Sequence, residues 1–212
     1  EGYQFDYGGE PLEFIFDAVT YRGENGSTEV ELAYSIPARQ LGYVADGQGD
    51  HTWFNSFVVL RDQELHRITE SSASIGPVVR PPKEIPKRSA KTIVRTASLS
   101  LPAPPGSYRT AIGVRDSVSR RIGIYETPLT VWDYTSDAIN LSDIKLALSV
   151  TPQSEAGPFV RHGHKITPNP SRLFQRAQPV YFYYEIYNLS NDESGRTAYR
   201  TDLEITMKEK KM

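Results

Sequence analysis

The sequence predicts an all-β protein: tandem antiparallel β-sandwiches of immunoglobulin- or fibronectin-like type, the second of them incomplete. Three observations predict it. Apolar residues alternate with polar ones at period two along most of the chain, and no segment carries a convincing 3.6-residue amphipathic period. Clusters of Gly, Pro, Asn, Asp and Ser interrupt the alternation at short intervals. The alternation then returns late in the chain, where the residues from Ile166 align with those from Phe16.

The first strand is read in "LEFIFDAVTY". In "STEVELAYSIP", Val30, Leu32, Tyr34 and Ile36 alternate with Glu29, Glu31, Ala33 and Ser35, the pattern of a strand with one buried face. "HTWFNSFVVL" follows, with Trp53, Phe57 and Val59 on one parity and expected to face inward. "TIVRTASLSL" sets Ile93, Ala97, Leu99 and Leu101 against Thr92, Thr96, Ser98 and Ser100. "SYRTAIGV" sets Tyr108, Ile112 and Val114 opposite Arg109, Ala111 and Gly113, and "RIGIYETPLTVW" supplies a last strand. The turns are "GENGS", "ADGQGD", "PAPPG" and "RDSVSRR", each rich in residues that tolerate chain reversal. The segment "GPVVRPPKEIPKRSA", with prolines at 77, 81, 82 and 86, reads as an irregular solvated excursion or an edge cover, because proline removes ladder donors. Tyr108, just after "PAPPG", has the placement of a tyrosine corner, whose hydroxyl bonds back to the backbone of the arch.

The self-alignment pairs Val30, Leu32, Tyr34 and Ile36 with Val180, Phe182, Tyr184 and Ile186. It also pairs Trp53, Phe57 and Val59 with Tyr199, Leu203 and Ile205. One sandwich is therefore assigned to residues 1–134 and a second, partial one to 139–212, joined near "DYTSDA". Each is expected to own a core. Trp53, Tyr34, Ile112 and Val114 belong to the first, and Phe182, Tyr184, Leu203 and Ile205 to the second. With only three or four strands, the second unit leaves strand edges unpaired and is expected to need a partner or further chain to complete it.

Five aromatic rings fill seven positions from Tyr181 to Tyr187. If the even positions are core, Tyr181, Tyr183 and Tyr187 face outward with Glu185 and form the candidate interaction site: rigid amphipathic rings that suit a protein interface or can stack on sugar rings. No catalytic pattern accompanies them. The sequence holds no Gly-x-Ser-x-Gly, no phosphate-cradling glycine loop and no cysteine, so thiolate chemistry and cysteine zinc sites are excluded. His162 and His164 in "RHGHK" could offer two imidazoles from one side of a strand, but Gly163 and the want of a nearby third ligand favour a solvated turn. His51 and His66 are isolated, and the carboxylate pairs Asp62/Glu64 and Asp192/Glu193 sit in hairpin-like turns. No metal and no cofactor is expected.

The formal charge of -2, from 24 Lys+Arg against 26 Asp+Glu, gives no field that would favour nucleic acid. No apolar run approaches the length of a membrane span. The start at Glu1 without a methionine reads as a processed N-terminus or a cut fragment.

The run "ITPNPSRLFQRAQPVYFYYEIYNLSNDESGRTAYRTDLEI", with "LSDIKLALSV" and "LPAPPGSYRTAIGVRDSVSRRIG" before it, resembles the carboxy-terminal β-rich region of bacterial GWxTD-domain proteins. The Gly-Trp-x-Thr-Asp motif itself is absent, so the resemblance covers only the region downstream of it. It implies a bacterial cell-envelope location, periplasmic or surface, and carries over no catalytic residue. The functional expectation is a non-enzymatic structural or protein-interaction module that binds protein partners or itself through exposed sheet edges. The alternative is a carbohydrate-binding accessory module that uses the exposed tyrosines.

Overall fold

The computed structural model describes residues 11–45, 47, 49–80 and 93–206. Within them the protein is all-β with antiparallel pairing between its strands, and its one helical element is a three-residue 3-10 turn, Ala38–Gln40. One sheet joins β1 (Ile15–Arg22), β2 (Thr28–Pro37) and β6 (Val94–Ala103) in the order β1-β2-β6. The sheet facing it places β4 (Asp50–Arg61) between β5 (Arg67–Val79) and β7 (Gly106–Asp116), with β8 (Ile122–Val131) outside β7 and the short β3 (Val44–Ala45) at one end of β4.

Between these two sheets lies a core that includes Leu12, Phe14, Val30, Leu32, Tyr34, Ile36, Phe54, Val58, Leu60, Leu99, Ile112, Val114 and Val131. Tyr34, Ile112 and Val114 take the places expected of them. Trp53 does not, being 37% exposed on the outer face of its sheet. The reason lies in β4 itself, where Phe54, Val58 and Leu60 oppose Trp53, Phe57 and Val59, three apolar residues on each parity. Periodicity cannot choose between them. Thr52 and Ser56 complete the inward set, and on the outer face the Phe57 ring lies against Gly113, where an added Cβ would come within 2.2 Å of it. A second close approach ties the amino-terminal segment to β8: Leu12 donates its N–H to the Ile122 carbonyl at 3.0 Å, and its own carbonyl presses on Gly123.

The β7 arch matches expectation. The Tyr108 hydroxyl donates to the Pro104 carbonyl at 2.7 Å, closing the corner. In the proline-rich stretch, Gly76–Val79 continue β5, and residues 81–92 lie outside the described residues.

The rest of the chain forms a third layer. β10 (Lys145–Pro152) lies between β12 (His164–Pro168) and β13 (Tyr181–Tyr183), with β11 (Val160–Arg161) beyond β12. β9 (Asn140–Leu141) pairs with β14 (Ile186–Tyr187). This layer stacks on the outer face of β1-β2-β6, so β2 is covered on both sides. Glu31, Ala33 and Ser35 are buried along with Val30, Leu32, Tyr34 and Ile36. The single buried face expected for β2 is thus corrected, because its polar parity meets another layer instead of water.

The internal repeat is not reproduced in the pairing. β2 is one strand of 10 residues, whereas its aligned counterpart breaks at Tyr184 and Glu185 into β13 and β14, which join different sheets. The counterpart of β4, residues 197–206, forms no strand. Nor does the second expected core assemble. Phe182 and Tyr184 are half-buried, Leu203 is 60% exposed and Ile205 is 79% exposed.

Candidate functional site

The inner face of the third layer is fastened by three acid–base pairs, each joining one residue from β1 or β2 to one from the carboxy-terminal part. Arg172 reaches both carboxylate oxygens of Asp17, with N–O distances of 3.0 and 2.7 Å. Arg161 donates through NH1 to Glu29 at 2.7 Å, and the Lys145 ammonium bonds Glu31. Asp17, Glu29 and Glu31 are odd positions on antiparallel neighbours, which places all three on one face of the sheet. Two further links lie at the margin: Asp143 accepts from the backbone N–H and the hydroxyl of Thr20, at 2.8 and 2.7 Å, and Tyr134 shares a 2.8 Å hydrogen bond with that hydroxyl.

Arg161 is the centre of the seam. Its guanidinium carbon stands 3.9 Å from the centroid of the Tyr21 ring, and its Nε donates to Glu185. Glu185 also accepts from the hydroxyls of Tyr183 at 3.0 Å and Tyr187 at 2.7 Å. Burial by itself pushes the Glu185 carboxyl up, but the Arg161 hydrogen bond and charge and the two tyrosine hydroxyls outweigh it and hold the carboxyl below its ordinary value. Desolvation, aided by the Glu185 charge, pushes the phenols of Tyr183 and Tyr187 well above theirs. The cluster therefore holds an ionised carboxylate between neutral phenols and a guanidinium, an arrangement of charge-assisted hydrogen bonds.

The tyrosines expected to face outward belong to this inner face. Tyr187 is 5% exposed, packed on Tyr134 at 5.4 Å and under the Arg22 guanidinium at 4.3 Å. Tyr183 packs on Tyr21 at 6.0 Å and is half-buried. Of the set, only Tyr181 remains exposed, at 39%. The outward expectation is corrected for Tyr183 and Tyr187: the parity was inherited from the alignment with β2, but here the face is chosen by docking onto Tyr21 and Arg161. Cross-strand register confirms the inversion, with Tyr183 opposite Lys145 on the inner face and Phe182 opposite Leu146 on the outer one.

The outer face of the third layer, like that of the β4 sheet, meets no further sheet among the described residues. Leu146 and Phe182 are half-buried, Leu148 and Val180 are exposed, and among the described residues no further sheet covers them. Pairing with β13 involves Lys145, Leu146 and Ala147 of β10, so among the described residues the rest of that edge of β10 has no strand partner. A groove of about 480 Å³ opens beside it, lined by Ile15, Val94, Tyr125, Leu148 and Pro168 among others.

The histidines do not converge on a site. His162 lies in the β11–β12 turn with Nε2 3.3 Å from Glu185, while the His164 ring turns to the backbone oxygen of His162 at 3.0 Å. Asp62, Glu64 and His66 gather in the β4–β5 turn with ligand-type atoms within 4.8 Å of one another. Asp62 is engaged there in closing the turn, accepting backbone N–H bonds from Glu64 and His66, each at 2.9 Å. No helix among the described residues is long and apolar enough to cross a membrane.

Sequence reasoning missed Arg161, Glu29, Glu31, Lys145 and Arg172. One signal was available: acidic residues on the polar parity of one strand and isolated bases in a later, strand-poor segment are complementary, although nothing in their spacing pairs them. Compared with known proteins, the chain matches no family model, no curated protein and no solved structure.

Proposed function

We propose that the chain is a non-enzymatic protein-interaction module of a bacterial cell-envelope or surface assembly, with the carboxy-terminal layer as its binding element. The observation that carries this reading is the one-sided covering of that layer. Its inner face is committed to the amino-terminal sandwich, and its outer face leaves Leu146 and Phe182, with Val180 and Leu148 exposed nearby, beside a partly unpaired edge. Apolar side chains next to unpaired strand backbone are the features used in strand addition and in interface cores. The envelope location rests on the resemblance to GWxTD-domain proteins. The immunoglobulin-like assignment belongs to the same proposal, supported by a three-stranded sheet facing a larger one and by the Tyr108 corner.

A photoreactive benzoylphenylalanine placed at Phe182 tests the reading in native envelope preparations. A discrete protein adduct, absent when the group is placed at exposed Glu126, is the expected result. No adduct at Phe182, together with retention on polysaccharide that is lost in Tyr181→Ser, overturns it in favour of a carbohydrate-binding module.

A further inference from the structure

Residues 197–206, "TAYRTDLEIT", have the composition of a strand and none of its bonds. Tyr199, Leu203 and Ile205 fall on one parity with Thr197 and Thr201, and Arg200, Asp202 and Glu204 fall on the other. In the middle of the segment Arg200 bonds Asp202 two residues on, at 3.0 and 2.8 Å, the spacing of side chains that share one face of a strand. Yet no backbone group of 197–206 is hydrogen-bonded to another backbone group among the described residues, and Tyr199 is 62% exposed.

The obvious intramolecular partner is unfit. The Asp192–Arg196 turn is closed, with the Asp192 N–H donating to the Arg196 carbonyl at 2.8 Å, so the arm returns alongside residues 188–191 as in a hairpin. That outgoing segment bends at Asn188, whose φ of 60° is left-handed and whose side-chain amide is held by the carbonyls of Ser136 and Ala138 at 2.6 and 2.9 Å. A left-handed residue interrupts an extended ladder, so the returning arm has no straight strand to join.

The arm is, however, complementary to itself. When two copies lie antiparallel about Thr201, Arg200 of each faces Asp202 of the other, and Tyr199 of each faces Leu203 of the other. Opposite charges and aromatic–aliphatic pairs directly opposite one another are the contacts that stabilise antiparallel pairs. We infer that residues 197–206 form an antiparallel strand pair with the same segment of a second copy of this chain, centred on Thr201, giving a two-fold dimer. This rests on the reading of the chain as an interaction module and names one partner for it.

The absence of cysteine allows a direct test. In Thr201→Cys the two thiols would lie opposite each other across the two-fold axis, where paired Cα atoms are about 4.5 to 5.5 Å apart, within the span of a disulfide. Mild oxidation should give a covalent dimer much faster than in Ser154→Cys, which places a thiol at another exposed site. Sedimentation of the unmodified protein should show concentration-dependent self-association. Asp202→Arg, which sets like charges opposite each other twice, should weaken it by about tenfold, and the exchange Arg200→Asp with Asp202→Arg should restore it. Equal cross-linking of the two cysteine variants, or a monomer at all concentrations with residues 199–205 protected from hydrogen exchange, overturns the inference. Either result leaves the Phe182 adduct to stand or fall separately.

Discussion

The Lys145 ammonium meets the Glu31 carboxylate across two layers of the protein, with the side chains only 4% and 10% exposed. Two desolvated ions in contact hold each other in place chiefly because neither can be left alone. Lys145→Met should therefore destabilise the fold by about 3 kcal/mol, since it strands the carboxylate. The double variant Lys145→Met with Glu31→Leu should recover most of that loss. Chemical denaturation of the single and double variants measures the difference. A double variant as unstable as the single one would show that the pair contributes more than mutual neutralisation.

Acid should loosen the seam through Glu185. Its carboxyl is held below the ordinary value in the folded protein, so the unfolded chain binds the proton first as pH falls. The stabilisation is complete above the unfolded value of about 4.3 and is lost as pH drops through the lower folded one. Urea midpoints between neutral pH and pH 3 should fall in the native protein, and Glu185→Gln should flatten part of that decline. An unchanged acid limb in the variant would place the titrating group elsewhere.

The two tryptophans report on the parity of β4 and the end of β8. Trp53 and Trp132 are 37% and 55% exposed. Native fluorescence should be open to quenching by acrylamide and should shift little on unfolding, unlike that of a core indole. A native blue-shifted, quencher-resistant emission would return Trp53 to the interior.

The Tyr108 corner should contribute about 1 kcal/mol through its single hydrogen bond. Tyr108→Phe keeps the ring and removes only the bond to the Pro104 carbonyl. Thermal unfolding of this variant isolates that term.

The alternation of Val30, Leu32, Tyr34 and Ile36 was legible because a core-facing strand needs no knowledge of its partner beyond being apolar. The Tyr108 corner was legible because it is local, acceptor and donor standing four residues apart. The face of β4 was not, since both of its parities carry three large apolar residues and the choice between them rests on packing with remote strands, such as that of Phe54, Val58 and Leu60 in the core and of Phe57 against Gly113. Tyr183 and Tyr187 were misplaced for a different reason: their orientation is set by Tyr21, Tyr134 and Arg161, each remote in sequence, and a two-residue period has no information about a third layer. Docking by charge pairs across more than 100 residues leaves no periodic trace.

The surface that the third layer covers has a bearing on how the chain is made. Asp17, Glu29 and Glu31 stand on one face with Val19, Tyr21 and Ala33, so until the later strands arrive the outer face of the first sandwich is a mixed surface in which carboxylates border apolar side chains. The amino-terminal part leaves the ribosome first and can close its own core before residue 145 exists. During that interval the three carboxylates set like charge around Val19, Tyr21 and Ala33, which discourages association with other nascent chains through that apolar surface. The later strands then find a preformed template whose field attracts Lys145, Arg161 and Arg172, so synthesis order and electrostatics cooperate to assemble the layers in sequence.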